Sequence, residues 1–518
     1  MESFPWLTAM TAVPLAGAAA TAIFGGSSAQ RAHKIALCSC LASLVLAILV
    51  RLRFDETSAG IQLTERAVWI PSLGIEYLLG VDGLSIMLLL LTAIVTPLAL
   101  MAPSRIQERH SAFYSLALFL QAALFGAFTA LNFFHWFIFW ELSLIPAFFL
   151  IKLWGGQARG RAALQFFLYT LAGSVCMLLA FLAIFHATGT FDFERLAEMG
   201  RSGYLKSALA ARLGWYSLSS GELAAVIFLG VLIGFAVKVP LMPLHTWLPP
   251  AYTEAPVGVT ILLTALMSKL GVYGVARIVL PIFSGQISQL LTPLLWVAAI
   301  TSVAAACATF AQRDIKRMLA YSSINHLGYC MLGLFAACGT IQGTSALFTE
   351  RTAILNGVAF LMFSHGITAT ALFCFVGFLE SRTGGLRSID DFGGLRQIVP
   401  VFCGLMGISL MASLGLPGLS GFIGEFLIFK GVFALAPWPA AFAALGLLIT
   451  AVYVLTLLQK VFHGPLNERW RSMPDLNQQE RLLILPVIAI MFLLGLWPAL
   501  ALDIFNANMS FLALELSF

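Results

Sequence analysis

The feature that most constrains this chain is the repetition of apolar stretches about 20 residues long, the length a helix needs to cross the hydrocarbon of a bilayer. About fourteen can be placed, over 5–24, 34–51, 80–102, 111–130, 132–153, 162–186, 222–243, 256–278, 286–310, 318–338, 353–379, 401–436, 439–462 and 482–503. A lipid interior offers no partner to a backbone N–H or C=O, so each stretch has to close its own hydrogen bonds as a helix. The expected fold is all-α, a polytopic membrane protein of about 14 transmembrane helices. Composition agrees: 60% of the 518 residues are hydrophobic and 10% charged, against roughly a quarter charged in soluble domains. The first apolar stretch follows Met1-Glu2-Ser3-Phe4-Pro5, which lacks the basic flank of a cleaved leader, and is expected to be retained.

Basic residues give an orientation. The odd-numbered connections carry seventeen Lys and Arg, among them Arg105, Lys152, Arg159, Lys316, Arg387 and Lys460. The even-numbered ones carry ten, seven of which lie in two long connections near 51–75 and 187–221. Positive charge marks cytoplasmic short loops, so the odd connections are expected in the cytoplasm and both termini in the periplasm. On this count only Lys238 and Lys269 lie deep within spans. No basic run interleaved with aromatics suggests nucleic acid. The eight cysteines stand singly, without the C-x-x-C pairs of zinc or iron–sulfur sites, and read as small buried hydrophobes.

Two spans read as broken. Lys238-Val239-Pro240-Leu241-Met242-Pro243 in the seventh and Gly415-Leu416-Pro417-Gly418 in the twelfth put prolines where they remove backbone donors and clash with the preceding turn. Irregular backbone at membrane depth survives where protein or a water-filled cavity satisfies it. Discontinuous helices 7 and 12, five apart, suggest two inverted five-helix repeats of the kind that transporters build sites around. The expected divisions are an N-terminal three-helix segment (1–105), a first repeat of helices 4–8 (111–280), a second of helices 9–13 (286–463) and a C-terminal helix 14 (480–518).

A charge at the centre of a membrane helix costs about 2.5–3.5 kcal/mol on insertion scales, so such residues usually face a protein interior and have a task. Glu141, Lys238 and Lys269 occupy the fifth, seventh and eighth spans, His326 and His365 the tenth and eleventh, and Glu425 follows the break of the twelfth. Acid beside amine makes a proton gate: together they hold the charged forms, and on separation the desolvated amine gives up its proton. Glu141 and Lys238 are the expected pair, Lys269 the carrier, the histidines relays and Glu425 the end of the line. Plainer roles compete: a static Glu141–Lys238 ion pair, and histidines that hydrogen-bond across helices. Asp82 is expected to cap its helix, and His245 and Glu254 to flank a cytoplasmic connection.

Phe139-Trp140-Glu141-Leu142, Lys238-Val239-Pro240 with Pro243-Leu244-His245-Thr246-Trp247-Leu248-Pro249, the Lys269 span and Arg313-Asp314-Ile315-Lys316-Arg317-Met318-Leu319-Ala320-Tyr321-Ser322-Ser323 resemble, end to end, the antiporter-like subunits of respiratory complex I. Mrp-type cation/proton antiporters and membrane-bound hydrogenases are related. Most paralogues carry lysine in the twelfth helix; Glu425 and a chain that ends soon after its fourteenth span are similar to the M-type group. Tyr252-Thr253-Glu254-Ala255-Pro256 departs from the more usual acidic or amide-rich turn.

The resemblance implies fourteen spans, inverted repeats and a hydrated polar axis with Glu141–Lys238 as switch, Lys269 as central carrier and His365 as relay. It further implies a subunit of NADH:quinone oxidoreductase, a proton-pumping translocase in which quinone reduction drives proton transfer. This chain would bind no cofactor and no metal; FMN, iron–sulfur clusters and quinone would belong to partner subunits. Expected partners are L-, N- and K-type membrane-arm chains and lipid, in a hetero-oligomer of the bacterial inner membrane. The alternatives are a subunit of an Mrp-type Na⁺/H⁺ antiporter or of a membrane-bound hydrogenase, and a proton-silent scaffold.

Overall fold

A computed structural model describes residues 4–103, 106, 108–214, 218–339 and 345–516. Arg105, which entered the charge count, and the ends of the expected terminal segments at 1–3, 105 and 517–518 lie outside them. Among the described residues, twelve helices are long and apolar enough to cross a membrane. Two more elements occupy the remaining expected stretches. Ile315–Ala337 is a 23-residue helix whose Lys316, Arg317, Asn325 and His326 make it more polar than the rest. Pro400–Ser413 and Ser420–Leu435 are the two halves of the expected twelfth span.

Local chemistry explains the helix ends. Asp82 caps Gly83–Met101 by accepting from Ser85 N at 2.8 Å, and Asn132 caps the helix that begins at Phe133 by accepting from His135 N at 2.9 Å. Ser219 with Glu222 and Asn477 with Glu480 form reciprocal capping boxes. The seventh span stops at Lys238, turns through 239–247 and resumes as Leu248–Glu254. Its freed backbone is satisfied by protein, with Leu241 N donating to Ala236 O at 2.9 Å, Met242 N to Thr301 Oγ1 at 3.0 Å, and the Trp247 indole to Val237 O at 2.9 Å. The twelfth breaks through Gly415 and Gly418, both at positive φ (79° and 88°), where a side chain would strain the backbone.

Three departures from the sequence reading stand out. Gln62–Ile70 and Ile75–Val81 pair as an antiparallel hairpin in and just beyond the long connection near 51–75, a small addition to a mostly helical fold. The 187–221 connection folds into Phe193–Arg201 and Tyr204–Leu213, which bury Leu196, Leu205 and Leu209 while exposing their charges. Beyond the helix Gln478–Leu496, a second helix, Ala499–Glu515, packs against Gly83–Met101 and Leu347–Thr383.

Burial sorts the helices. The apolar window of Val257–Gln289, which carries Lys269, is 100% buried, whereas that of Ala29–Arg53 is 33% buried. The first is a central strut and the second a rim helix with Leu41, Val45 and Leu52 turned outward, as lipid contact requires. Leu347–Thr383 and Ser420–Leu435 approach until backbones touch: a Cβ on Gly424 would lie 2.9 Å from Leu361 Cα, and one on Gly357 2.8 Å from Ile428 N. Small residues at such a crossing are how membrane helices gain packing contacts. Gly424→Leu is therefore expected to destabilise the protein by about 1–3 kcal/mol, read as a lower thermal midpoint of the solubilised protein; an unchanged midpoint would contradict this packing.

Candidate functional site

Lys269 is the most deeply enclosed charge-bearing residue of the expected set, with no solvent exposure. Its helix departs from α geometry on both sides, as π-turns over Leu263–Met267 and Val275–Val279, a distortion frequent at functional positions. Within the first turn, Thr264 O accepts from Lys269 Nζ at 2.6 Å and from Ser268 Oγ at 2.7 Å, and Ser268 Oγ in turn lies 3.4 Å from the amine. The remaining contact crosses to the next helix, where His365 Nδ1 lies 2.7 Å from the amine. Such a contact holds one proton between two nitrogens: an ammonium donates to a bare Nδ1, or a protonated imidazole donates to a neutral amine.

From His365 the polar line continues. The His365 and His326 rings lie 5.1 Å apart, centroid to centroid. His326 Nδ1 stands 3.0 Å from Glu425 Oε1, within ion-pair reach although not aligned as a hydrogen bond, and its Nε2 lies 3.5 Å from Ser413 Oγ. A cavity of about 20 Å³ touches both histidines, Ser323, Ser413 and Glu425, room for a water with several polar partners. The broken helix positions the acid. A Cβ on Gly415 would come within 2.5 Å of Glu425 Oε2, so only glycine lets the carboxylate turn back into the break.

The other arm begins at Lys238, the last residue before the break of the seventh span. Nζ donates to Ser143 Oγ at 3.1 Å and Trp140 O at 3.4 Å and sits 3.9 Å from the Trp140 ring centroid. A desolvated cation over an indole gains about 2 kcal/mol. The indole is itself fixed by donation to Ser174 Oγ at 2.9 Å. Glu141 forms no ion pair with Lys238 within 4.0 Å, and its buried Oε1 has no hydrogen-bond partner among the described residues. The expected switch pair is thus separated in this structure, with Ser143 and Trp140 taking the place of the carboxylate. A cavity of about 10 Å³ is lined by Lys238, Tyr252 and Ser268; Ser268 Oγ lies 3.4 Å from the Lys269 amine, and Tyr252 donates to Leu263 O at 3.1 Å.

All six expected residues are placed, and four of them, Lys269, His365, His326 and Glu425, form one line; Lys238 joins it across the Tyr252 cavity, and Glu141 stands apart. Sequence reasoning missed Ser143, Thr264, Ser268, Ser413 and Trp140 as the groups that hold the ions. A partial signal was there: Ser143 follows Glu141 by two residues and Ser268 precedes Lys269 by one, whereas no hydroxyl stands within five residues of Lys238 and Ser413 is twelve from Glu425. It also counted Lys316 and Arg277 with the connections. Lys316 is 2% exposed and donates to Ala255 O, and Arg277 pairs with Asp82 at 3.1 Å. Glu254, expected beside a connection, accepts from Ala158 N at 2.9 Å. All eight cysteines are free, Cys38 exposed and Cys40 buried, on different sides of their helix.

The family described as "NADH:quinone oxidoreductase/Mrp antiporter, TM" matches residues 130–450, which include every residue of the line. The chain belongs to this family. A second pattern, "NADH-ubiquinone oxidoreductase chain 4, amino terminus", matches residues 61–127. Among relatives, NADH-quinone oxidoreductase subunit M of Rhodobacter capsulatus is 35% identical over 511 residues, 98% of this chain and 96% of that one. F(420)H(2) dehydrogenase subunit M of Methanosarcina mazei is 36% identical over 507 residues, 97% of each. In a structure of respiratory complex I from Thermus thermophilus with bound NADH, one chain superposes with a TM-score of 0.82 at 30% identity, covering 98% of this chain and 99% of its own. These relatives share the M-type label that Glu425 suggested.

Ser143→Ala removes one of the two oxygens that hold Lys238, at a cost of about 1–3 kcal/mol to the charged amine. The expected outcome is slower proton translocation with normal membrane insertion. Translocation at the wild-type rate would show that Ser143 is not needed to hold the amine.

Proposed function

We propose that the chain is the proton-translocating, antiporter-like M-type membrane subunit of an NADH:quinone oxidoreductase, and that Glu141, Lys238, Lys269, His365, His326 and Glu425 carry the protons. The observation that supports this best is the succession Lys269, His365, His326, Glu425 across four helices, with contacts of 2.7 Å and 3.0 Å at its two ends. Each member binds and releases a proton, and each is within direct or one-water reach of the next.

Transfer begins when charge arriving near Glu141 draws Lys238 from Ser143 or releases it, which changes the field at Lys269 across the Tyr252 cavity. Lys269 then passes its proton to His365 Nδ1. The N–H bond of the ammonium breaks as the imidazole N–H forms, leaving a neutral amine that accepts back from the ring. His365 releases a proton to the cavity it shares with His326, and Glu425 takes it from there. A waterless gap would stop this sequence, and a partner of Lys269 lines a small cavity on each side, Ser268 toward Lys238 and His365 toward Glu425.

The chain works within a multi-subunit respiratory complex beside L-, N- and K-type chains. FMN, iron–sulfur clusters and quinone reside in those or other partners, since this chain offers hydroxyl, amine and carboxyl groups for protons and its cysteines lie apart. The segments 111–280 and 286–463 form inverted repeats around helices 7 and 12, flanked by 1–105 and 480–518. The fourteen spans sit in a bacterial inner membrane with both termini periplasmic, as the basic connections favour. A second reading keeps this path and changes the electron donor: the match to the Methanosarcina mazei F(420)H(2) dehydrogenase chain is as strong as that to the Rhodobacter capsulatus chain.

Reconstituting the complex with Lys269→Ala or Glu425→Gln tests the function. Donor-driven proton translocation is expected to fall about tenfold or more, as when a positioned proton-transfer group is lost, in complexes that assemble normally. Wild-type translocation in both variants would overturn the reading, and the donor that drives quinone reduction in the native complex decides between NADH and another carrier.

A further inference from the structure

The helix that carries Lys269 ends in a second titratable assembly that the interior line does not use. One turn beyond Lys269, Tyr273 OH donates to Phe128 O at 3.1 Å and lies 3.1 Å from Ser85 Oγ. Ser85 N in turn donates to Asp82 Oδ1 at 2.8 Å. The second π-turn, Val275–Val279, contains Arg277, which donates to the other carboxylate oxygen, Asp82 Oδ2, at 3.1 Å. The side chains of Asp82 and Arg277 are 7% and 19% exposed. A helix cap needs one carboxylate oxygen and no arginine, so capping leaves the Arg277 pairing unexplained.

The pair forms part of the wall of a cavity of about 230 Å³, ample for several waters. Glu194, Arg201 and Glu515 share that cavity, and Arg201 pairs with Glu515 at 2.8 Å. Asn508 holds the wall in shape, accepting from Gly83 N at 2.7 Å and donating to Ala59 O at 2.6 Å. The cavity lies at the end of the helix remote from Lys316 and Glu254, on the face expected to be periplasmic. Glu194 and Glu515 offer Arg277 alternative acidic partners within the same wet space.

We propose that Asp82 and Arg277 form a proton-release gate between the Lys269 helix and this outer vestibule, a branch separate from the Glu425 arm; it rests on the proton-translocation reading above. With the gate shut, Arg277 neutralises Asp82. When Arg277 turns toward Glu515 or Glu194, the Asp82 carboxylate accepts a proton from a water hydrogen-bonded to the Ser85 and Tyr273 hydroxyls. One O–H bond breaks on that water as one forms on Asp82, while the water gains a proton relayed from the Lys269 ammonium, whose N–H bond breaks, so that a neutral amine and no hydroxide is left. Asp82 then releases the proton to vestibule water as Arg277 returns.

Asp82→Asn separates this role from capping, because asparagine caps as well as aspartate and carries no titratable charge. The intact complex is reconstituted in sealed vesicles, and proton release is followed while the pH of the vestibule-side compartment is varied, with Lys269→Ala measured in parallel. Asp82→Asn is expected to lower release per donor oxidised about tenfold and to flatten its dependence on vestibule-side pH, a change that loss of packing alone does not produce. Loss of release in Lys269→Ala with wild-type release and pH dependence in Asp82→Asn overturns the gate and leaves the function standing. Unchanged release in both overturns the function and the gate with it. Should Asp82→Asn fail to assemble, Tyr273→Phe, which removes only the hydroxyl, is expected to give the same loss, and unaltered release there overturns the gate.

Discussion

A primary amine inside a helix bundle, cut off from bulk water, has to be met by oxygen or nitrogen acceptors or it forces the bundle apart. That requirement at Lys269 organises the centre of this molecule. One acceptor comes from its own helix: Thr264 O, within the π-turn Leu263–Met267, accepts from the amine alongside Ser268 Oγ. The other acceptor, His365 Nδ1, has to come from a neighbouring helix, and this ties the two most buried helices of the protein together through a shared proton. In the proposed function, the contact that stabilises the charge is also the one through which the proton leaves, so that structure and transfer would use one pair of atoms.

The same economy applies at the broken helices. An unwound segment at membrane depth exposes polar backbone that lipid cannot satisfy, and at each break here protein groups supply partners. Around 239–247 the partners are Thr301 and the protein's own carbonyls; around 414–419, glycines at positive φ leave room for the Glu425 carboxylate. Each break places an ionisable group beside a small cavity rather than against lipid. Lys238 and Glu425 thus stand at the two ends of a line whose middle is Lys269.

Much of this was legible in the chain itself. Apolar length located the spans, because the bilayer sets that length, and proline with glycine located both breaks, because neither fits an uninterrupted helix. Ionisable residues within spans pointed to six groups, five of which the structure places along or beside one line. What escaped reading depends on tertiary geometry. The separation of Glu141 from Lys238 is a distance between helices, which no one-dimensional pattern encodes. Arg277 read as part of a connection because it stands at the very end of the 256–278 stretch, whereas the helix of Lys269 runs on to Gln289. The hairpin at 62–81 was hidden because its strands alternate weakly, with Arg66, Glu65 and Glu76 among them, and the hydroxyls around each charge were hidden because Ser and Thr are also common at plain helix contacts.

The central claim is that amine, imidazole and carboxyl groups along this line change protonation together, and vibrational spectroscopy addresses it most directly. An infrared difference spectrum of the assembled complex, resting against donor-reduced, is recorded in the carboxyl C=O region, with Glu425→Gln used to assign the Glu425 band. The expected result is a Glu425 band that changes on reduction and no longer does so in Lys269→Ala. A Glu425 band indifferent to the donor, or one that responds equally with Lys269 removed, would contradict a shared proton line.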